Sequence, residues 1–158
     1  MTKLLIEDAT AADLDQLTDY FVIEQGVHRA AHPELFSAVD PAAFKAFLCQ
    51  SLSSSTSYLR VAKRQADIAG FLFVEIYQHP GSIIRLPRKF ACVELIYVDP
   101  GYRRQGVGSA LLNDAKQIAR LERVDRVELD VMAFNGGARD FYANQGFADL
   151  SCRMDAEV

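Results

Sequence analysis

The chain has 158 residues, half of them hydrophobic, with a formal net charge of −4 and three cysteines. That length can bury one sizeable core, the apolar content excludes global disorder, and the acidic balance argues against non-specific binding to nucleic acid or an anionic membrane. No apolar run approaches the roughly 20 residues needed to span a bilayer, and the N-terminus lacks a signal-peptide layout. Cys49, Cys92 and Cys152 stand in no metal-ligand spacing, so no metal is expected, and the cysteine usage points to a reduced, cytoplasmic protein.

Lys3 to Glu7 predicts a short strand. Thr10-Ala11-Ala12-Asp13 has the layout of a capping box, and Leu14, Leu17 and Phe21 follow at helical spacing. Glu24 to Ser37, with His28, His32, Pro33 and Glu34, reads as an irregular connection. Asp40-Pro41 is an N-cap and first-turn pair, and Phe44, Phe47, Leu48 and Leu52 give a second helix its buried face. Tyr58 to Lys63 and Ile68 to Tyr77 predict a hairpin around Arg64-Gln65-Ala66-Asp67. His79-Pro80-Gly81-Ser82 breaks the pattern. Arg85, Arg88 and Lys89 then form a basic cluster in a loop, either solvated or in contact with a phosphate.

Val93 to Val98 is a buried strand interrupted by Glu94, and Asp99-Pro100-Gly101 is turn chemistry. Beyond it Val107, Leu111, Ala115 and Ile118 fall at helical spacing, with Leu112 and Ala119 widening the stripe. The entry to this helix carries Arg103 and Arg104 where an acid is usual, and the first acid is Asp114. Gly106 and Gly108 leave room for a ligand to approach the backbone. Together these features suit a phosphate at a helix N-terminus; the alternative is a solvated arginine pair beside a flexible turn. Arg126 to Val131 alternates as a strand, Asn135 caps a last helix containing Ala138, Phe141 and Tyr142, and Gly146 ends it. Phe147 to Met154 leaves room for one more strand. The order predicts a single α/β domain over 1–158, partly antiparallel and partly parallel.

The run Arg103-Arg104-Gln105-Gly106-Val107-Gly108 resembles the acetyl-CoA-binding signature Arg/Gln-x-x-Gly-x-Gly/Ala of the GNAT N-acetyltransferase superfamily. Asn135-Gly136-Gly137-Ala138-Arg139-Asp140-Phe141-Tyr142, followed by Gly146-Phe147, resembles a second motif of that family. The resemblance covers most of the chain and implies a GNAT-like mixed sheet flanked by helices. In such a sheet the parallel strands containing Val98 and Val131 splay apart around the pantetheine arm. It implies acetyl-CoA as acyl donor, held by Ile96, Tyr97 and Val98, by Arg103, Arg104, Gln105, Gly106, Val107, Gly108 and Ser109, and by Asn135, Ala138 and Tyr142. The tail is short for the family's closing hairpin, which leaves the last strand and any homodimer edge open.

Acyl transfer to an amine needs a proton acceptor, donors for the oxyanion and a proton for the departing thiolate. The resemblance makes Tyr142 the acid to the coenzyme sulfur; by position alone it packs on Phe141. Alternation puts Glu94 on one face with Cys92, Ile96 and Val98, where it is either the base, directly or through water, or an arginine's salt-bridge partner. Cys92 reads as a small core residue, since direct attack in a ternary complex needs no nucleophile. His28 and His32 are spaced i,i+4 but lack a third ligand. With Glu24 and Glu34 they are expected to line the pocket of a cationic amine acceptor, or to be solvated. The rival to an N-acetyltransferase acting on a small-molecule or peptide amine is a catalytically silent acyl-CoA-binding domain.

Overall fold

The computed structural model describes residues 3–158. One five-stranded sheet runs in the order β1 (Leu4–Asp8), β2 (Ser57–Arg64), β3 (Asp67–His79), β4 (Arg88–Val98), β5 (Val127–Leu129). The first four strands are antiparallel neighbours, and β5 lies parallel to β4. On one face lie α1 (Leu14–Ala31) and α2 (Pro41–Ser51); on the other lie α3 (Val107–Leu121) and α4 (Gly136–Asn144). This is the mixed sheet flanked by helices that the element order implied.

The two faces have separate cores. Leu14, Leu17, Leu48, Val61, Phe71, Phe73 and Tyr97 fill the side under α1 and α2. Leu72, Val74, Ala91 and Val93 meet α3 on the other. The predicted stripe of α3 is buried at Val107, Leu111, Leu112, Ala115, Ile118 and Ala119, and each large aliphatic side chain removed from water contributes about 1.5–3 kcal/mol. Asp114 on the rim of that stripe takes two bonds from Arg60 of β2, 2.9 and 3.4 Å, which pins α3 across the sheet.

Local rules explain the ends of several elements. Asp40 Oδ1 accepts from the N–H groups of Ala42 and Ala43 at the start of α2. Asn135 Oδ1 accepts from Ala138 N–H, 3.1 Å, at the start of α4. Gly146 adopts φ +86°, so that its N–H reaches Ala143 O and that of Phe147 reaches Tyr142 O, both 3.0 Å. That pair of bonds is a Schellman ending, open to glycine without a Cβ penalty.

Several expectations are corrected. Glu24 to Ser37 is no loop in its first half: α1 runs unbroken to Ala31, with Glu24 and His28 on it, and His32 is its C-cap. The apolar period lapses there because the inward positions are polar. Arg88 and Lys89 lie in β4 and are engaged, Arg88 with Glu128 and Lys89 with Glu122. Of the four residues expected to bury a face of the second helix only Leu48 is fully buried; Phe47 and the C-cap Leu52 are 42% and 37% exposed. No strand forms between Phe147 and Met154, because the helix ending turns the chain away and β5 offers only three residues to pair with.

Candidate active site

The β4–β5 ladder is short. Ala91, Cys92 and Val93 pair with Val127, Glu128 and Leu129, and pairing stops there. β4 continues to Val98, while the chain beyond Leu129 leaves the sheet toward α4. The two parallel strands therefore part beyond Val93, and the expected strand Arg126 to Val131 is trimmed to its paired core. α3, α4 and the second half of α1 meet around this gap.

The start of α3 is the first wall. Asp99 Oδ1 accepts from Gly101 N–H, 2.8 Å, closing the turn after β4. Arg103 Nε donates to Val98 O, 3.1 Å, and Gln105 Nε2 to Gly101 O, 2.9 Å. Arg104 takes φ +60° and Gly106 φ +81°. No side chain caps the helix, and its first turn closes with Ala110 N–H on Gly106 O, 3.0 Å. The N–H groups of that turn thus carry the positive end of the α3 dipole, beside two exposed arginines and with no nearby acid on the helix. A Cβ on Gly106 would touch nothing within 4 Å, so the space is open where a phosphate would approach. Gly108 differs: its Cβ would lie 2.9 Å from Phe141 Cζ. Val107 is 1% exposed, so it can offer a ligand its backbone but not its side chain. Arg64, which sequence reasoning missed, donates from Nη2 to Gln105 O, 3.2 Å, and braces this loop from the β2–β3 hairpin. Only the folded hairpin places it there.

α4 forms the second wall. Tyr142 packs its ring between Phe141, 5.4 Å, and Phe147, 6.0 Å. Burial, reinforced by the Glu24 carboxylate, pushes its phenol up to about 12, so it holds its proton at neutral pH. Asn135 is occupied as the N-cap. Gly136 and Gly137 have nothing within 4 Å of a built Cβ, so no packing contact demands either glycine.

β4 carries a bulge. Phe73 pairs with Leu95 and Val74 with Val93, leaving Glu94 without an opposite residue. The extra residue shifts the alternation: Ala91 and Val93 face α3, then Leu95 and Tyr97 face α1, and Ile96 and Val98 face α3. Glu94 therefore does not share a face with Ile96 and Val98, as strict alternation expected. It stays beside Cys92 and Tyr77 and is exposed. Burial, together with the Glu94 charge, pushes the Cys92 thiol up to about 12, which leaves it protonated and inert.

α1 closes the gap from the opposite face. Tyr20 stacks on Tyr97, 4.7 Å between ring centroids, and donates to Ile68 O, 2.7 Å. Glu24 is one turn further on and His28 one turn beyond that, so all three share a face. Glu24 Oε2 and His28 Nδ1 are buried without a hydrogen-bond partner. Burial pushes the Glu24 carboxyl up to about 7 and lowers the His28 imidazole. His28 stacks on Phe36, 5.3 Å, and meets Phe134 edge-on, 5.8 Å. His32 and Glu34 pair with each other at the outer end, 2.8 Å, so of the four expected acceptor residues two turn inward and two stay outside. Among the described residues no cluster of three potential metal ligands occurs, and no helix is long and apolar enough to cross a membrane.

The chain is similar to known proteins across this region. It is 40% identical over 96 residues to an uncharacterized N-acetyltransferase (MJ1207) of Methanocaldococcus jannaschii, covering 55% of this chain and 42% of that one. The chain spans less than half the length of the curated relatives it matches. A tetramutant of the BH1408 protein from Bacillus halodurans superposes with a TM-score of 0.87, at 21% identity, over 98% of this chain and 99% of that one. A predicted acetyltransferase with acetyl-CoA from Clostridium acetobutylicum gives 0.72, at 13% identity, over 98% and 96%. The profile of the Acetyltransferase (GNAT) family matches residues 19–147, a span that takes in the uncapped α3 entry, the parted strands and the α4 tyrosine; the chain belongs to the GNAT acetyltransferase family.

Proposed function

We propose that the protein transfers the acetyl group of acetyl-CoA to a primary amine of a small molecule or peptide, by direct attack while both substrates are bound. The observation that carries this reading is the meeting of an uncapped, arginine-flanked helix start with a protonated, half-buried tyrosine at one gap in the sheet. In this reading the N–H groups of Gly106 to Ser109 face the coenzyme pyrophosphate, with Arg103 and Arg104 adding charge and Arg64 holding the loop. The arm lies between β4, at Ile96 to Val98, and α4, at Asn135 to Tyr142. Tyr142 gives its proton to the departing thiolate. Glu94, exposed at the bulge, favours approach of a cationic acceptor, and Glu24 and His28 line the acceptor's side of the gap.

Thiol release from acetyl-CoA over a panel of primary amines tests the reading, with calorimetric titration of acetyl-CoA beside it. Turnover with at least one amine is expected. Tight acetyl-CoA binding with no turnover on any amine would favour a silent binding domain, and absence of binding would remove both.

A further inference from the structure

We propose that Glu24, on α1, is the catalytic group that takes the proton from the acceptor's ammonium, in place of the β4 carboxylate Glu94. This rests on the acetyl-transfer reading above.

The first ground is geometric. Among the described residues three buried side-chain atoms lack a hydrogen-bond partner, and two of them, Glu24 Oε2 and His28 Nδ1, lie one turn apart on the same face of α1. A carboxylate kept from water without a donor costs stability, and no lysine or arginine among the described residues pairs with it. The place is also fixed. One turn before Glu24, Tyr20 is held by its bond to Ile68 O and its stack on Tyr97. One turn after it, His28 is packed between Phe36 and Phe134. The helix backbone that carries Glu24 is thus held on both sides.

The second ground is what it faces. Its charge is felt by Tyr97 of β4 and by Tyr142 of α4, the residues on either side of the parted strands. Glu94, the first β4 residue past the point where the strands part, is exposed on the bulge, and its charge is felt by Cys92 and Tyr77. The acid and the base therefore stand on different walls of one gap, Tyr142 on α4 and Glu24 on α1. Their environments hold the carboxyl at about 7 and the phenol at about 12, which suits one to accept and the other to donate a proton at neutral pH.

The step balances as follows. The acceptor enters as R–NH3+ and gives one proton to Glu24. The freed amine nitrogen attacks the thioester carbonyl, the C–N bond forms, and the C–S bond breaks with its electron pair on sulfur. Tyr142 protonates that thiolate and is restored by the second proton lost from nitrogen, and Glu24 returns its proton to solvent. The products are the amide and free coenzyme A. The titratable groups facing Glu24 are Tyr97, Tyr142 and, on its own helix, His28. Both phenols stay neutral between roughly pH 6 and 9, and burial keeps His28 neutral at pH 7.

The test follows thiol release from acetyl-CoA with spermidine, 2-phenylethylamine and an unblocked tripeptide between roughly pH 6 and 9. The proteins compared are wild type, Glu24→Gln, Glu24→Asp and Glu94→Gln. With any accepted amine, wild-type kcat/KM should rise with an apparent pKa near 7. Glu24→Gln should lose that limb and fall by about 10²–10⁴-fold, with acetyl-CoA affinity by calorimetry within about threefold of wild type. Glu24→Asp should keep the limb at reduced height, which separates lost basicity from lost folding, and Glu94→Gln should keep the limb. A Glu24→Gln enzyme with the limb intact and rates within about threefold overturns the assignment, as does loss of the limb in Glu94→Gln instead. Wild-type enzyme that binds acetyl-CoA yet acetylates none of the amines overturns the acetyl-transfer reading, and the assignment with it.

Discussion

A Cβ built on Gly108 would stand 2.9 Å from Cζ of Phe141, so the first turn of α3 and the middle of α4 touch, and an added methyl group must push the tip of that ring aside. The two glycines of the α3 entry thus have different reasons to be glycine. Gly108 admits Phe141, the residue before the proposed acid, whereas Gly106 supplies a left-handed φ at the open helix start. Gly108→Ala should lower stability in urea denaturation by about 1–3 kcal/mol through overpacking. Gly106→Val should instead weaken acetyl-CoA binding, measured by calorimetry, by tenfold or more, since it fills the open side and strains the φ. A stable Gly108→Ala protein with unchanged midpoint would show that Phe141 moves aside freely.

Tyr142→Phe tests the acid. The ring keeps its contacts with Phe141 and Phe147, so the fold and the acetyl-CoA affinity should stay close to wild type. kcat should drop by roughly 10²–10⁴-fold. Wild-type turnover by this variant would return the tyrosine to a packing role.

Glu24 makes a separate prediction about stability. Its carboxyl in the folded protein titrates near 7, above the ordinary value of 4.5, so the folded state binds that proton more tightly than the unfolded chain. Its contribution is therefore most favourable below the unfolded value, declines as pH rises toward 7, and is flat beyond. Glu24→Gln removes the decline. Near pH 8 the variant should exceed wild type by about 3 kcal/mol more than it does near pH 4. Thermal melts of both proteins across that range give the answer, and parallel curves would mean that the carboxylate is solvated.

The Arg60–Asp114 pair ties α3 to the sheet, with side chains 19% and 14% exposed. Arg60→Met should cost about 1–3 kcal/mol, because it leaves a largely buried carboxylate without its donor. Adding Asp114→Leu should recover most of that loss, and a double-mutant cycle in urea gives the coupling. Additive losses would mean that the two side chains act independently.

The sequence by itself determined whatever depends on short-range rules. Asp40 and Asn135 cap their helices because a side-chain oxygen two or three residues away is all that a first turn needs. Gly146 ends α4 because one residue must take φ > 0. The α3 stripe is legible because every position on its inward face is apolar, and the unusual arginines at its entry stand out against the ordinary preference of a helix start. Only the tertiary structure decided the rest. The bulge at Glu94 arises from pairing two residues of β4 against one of β3, and no local pattern in β4 reports that register. α1 outran its apolar period because Glu24 and His28 occupy inward positions facing a gap between strands instead of a hydrophobic core. Sequence periodicity detects burial against apolar neighbours, so it is blind where a helix turns polar groups toward a site. What each such position faces lies more than thirty residues away in the chain: Tyr142, which feels the Glu24 charge from the other face of the sheet, and Phe141, which α4 sets against Gly108 of α3 on the same face.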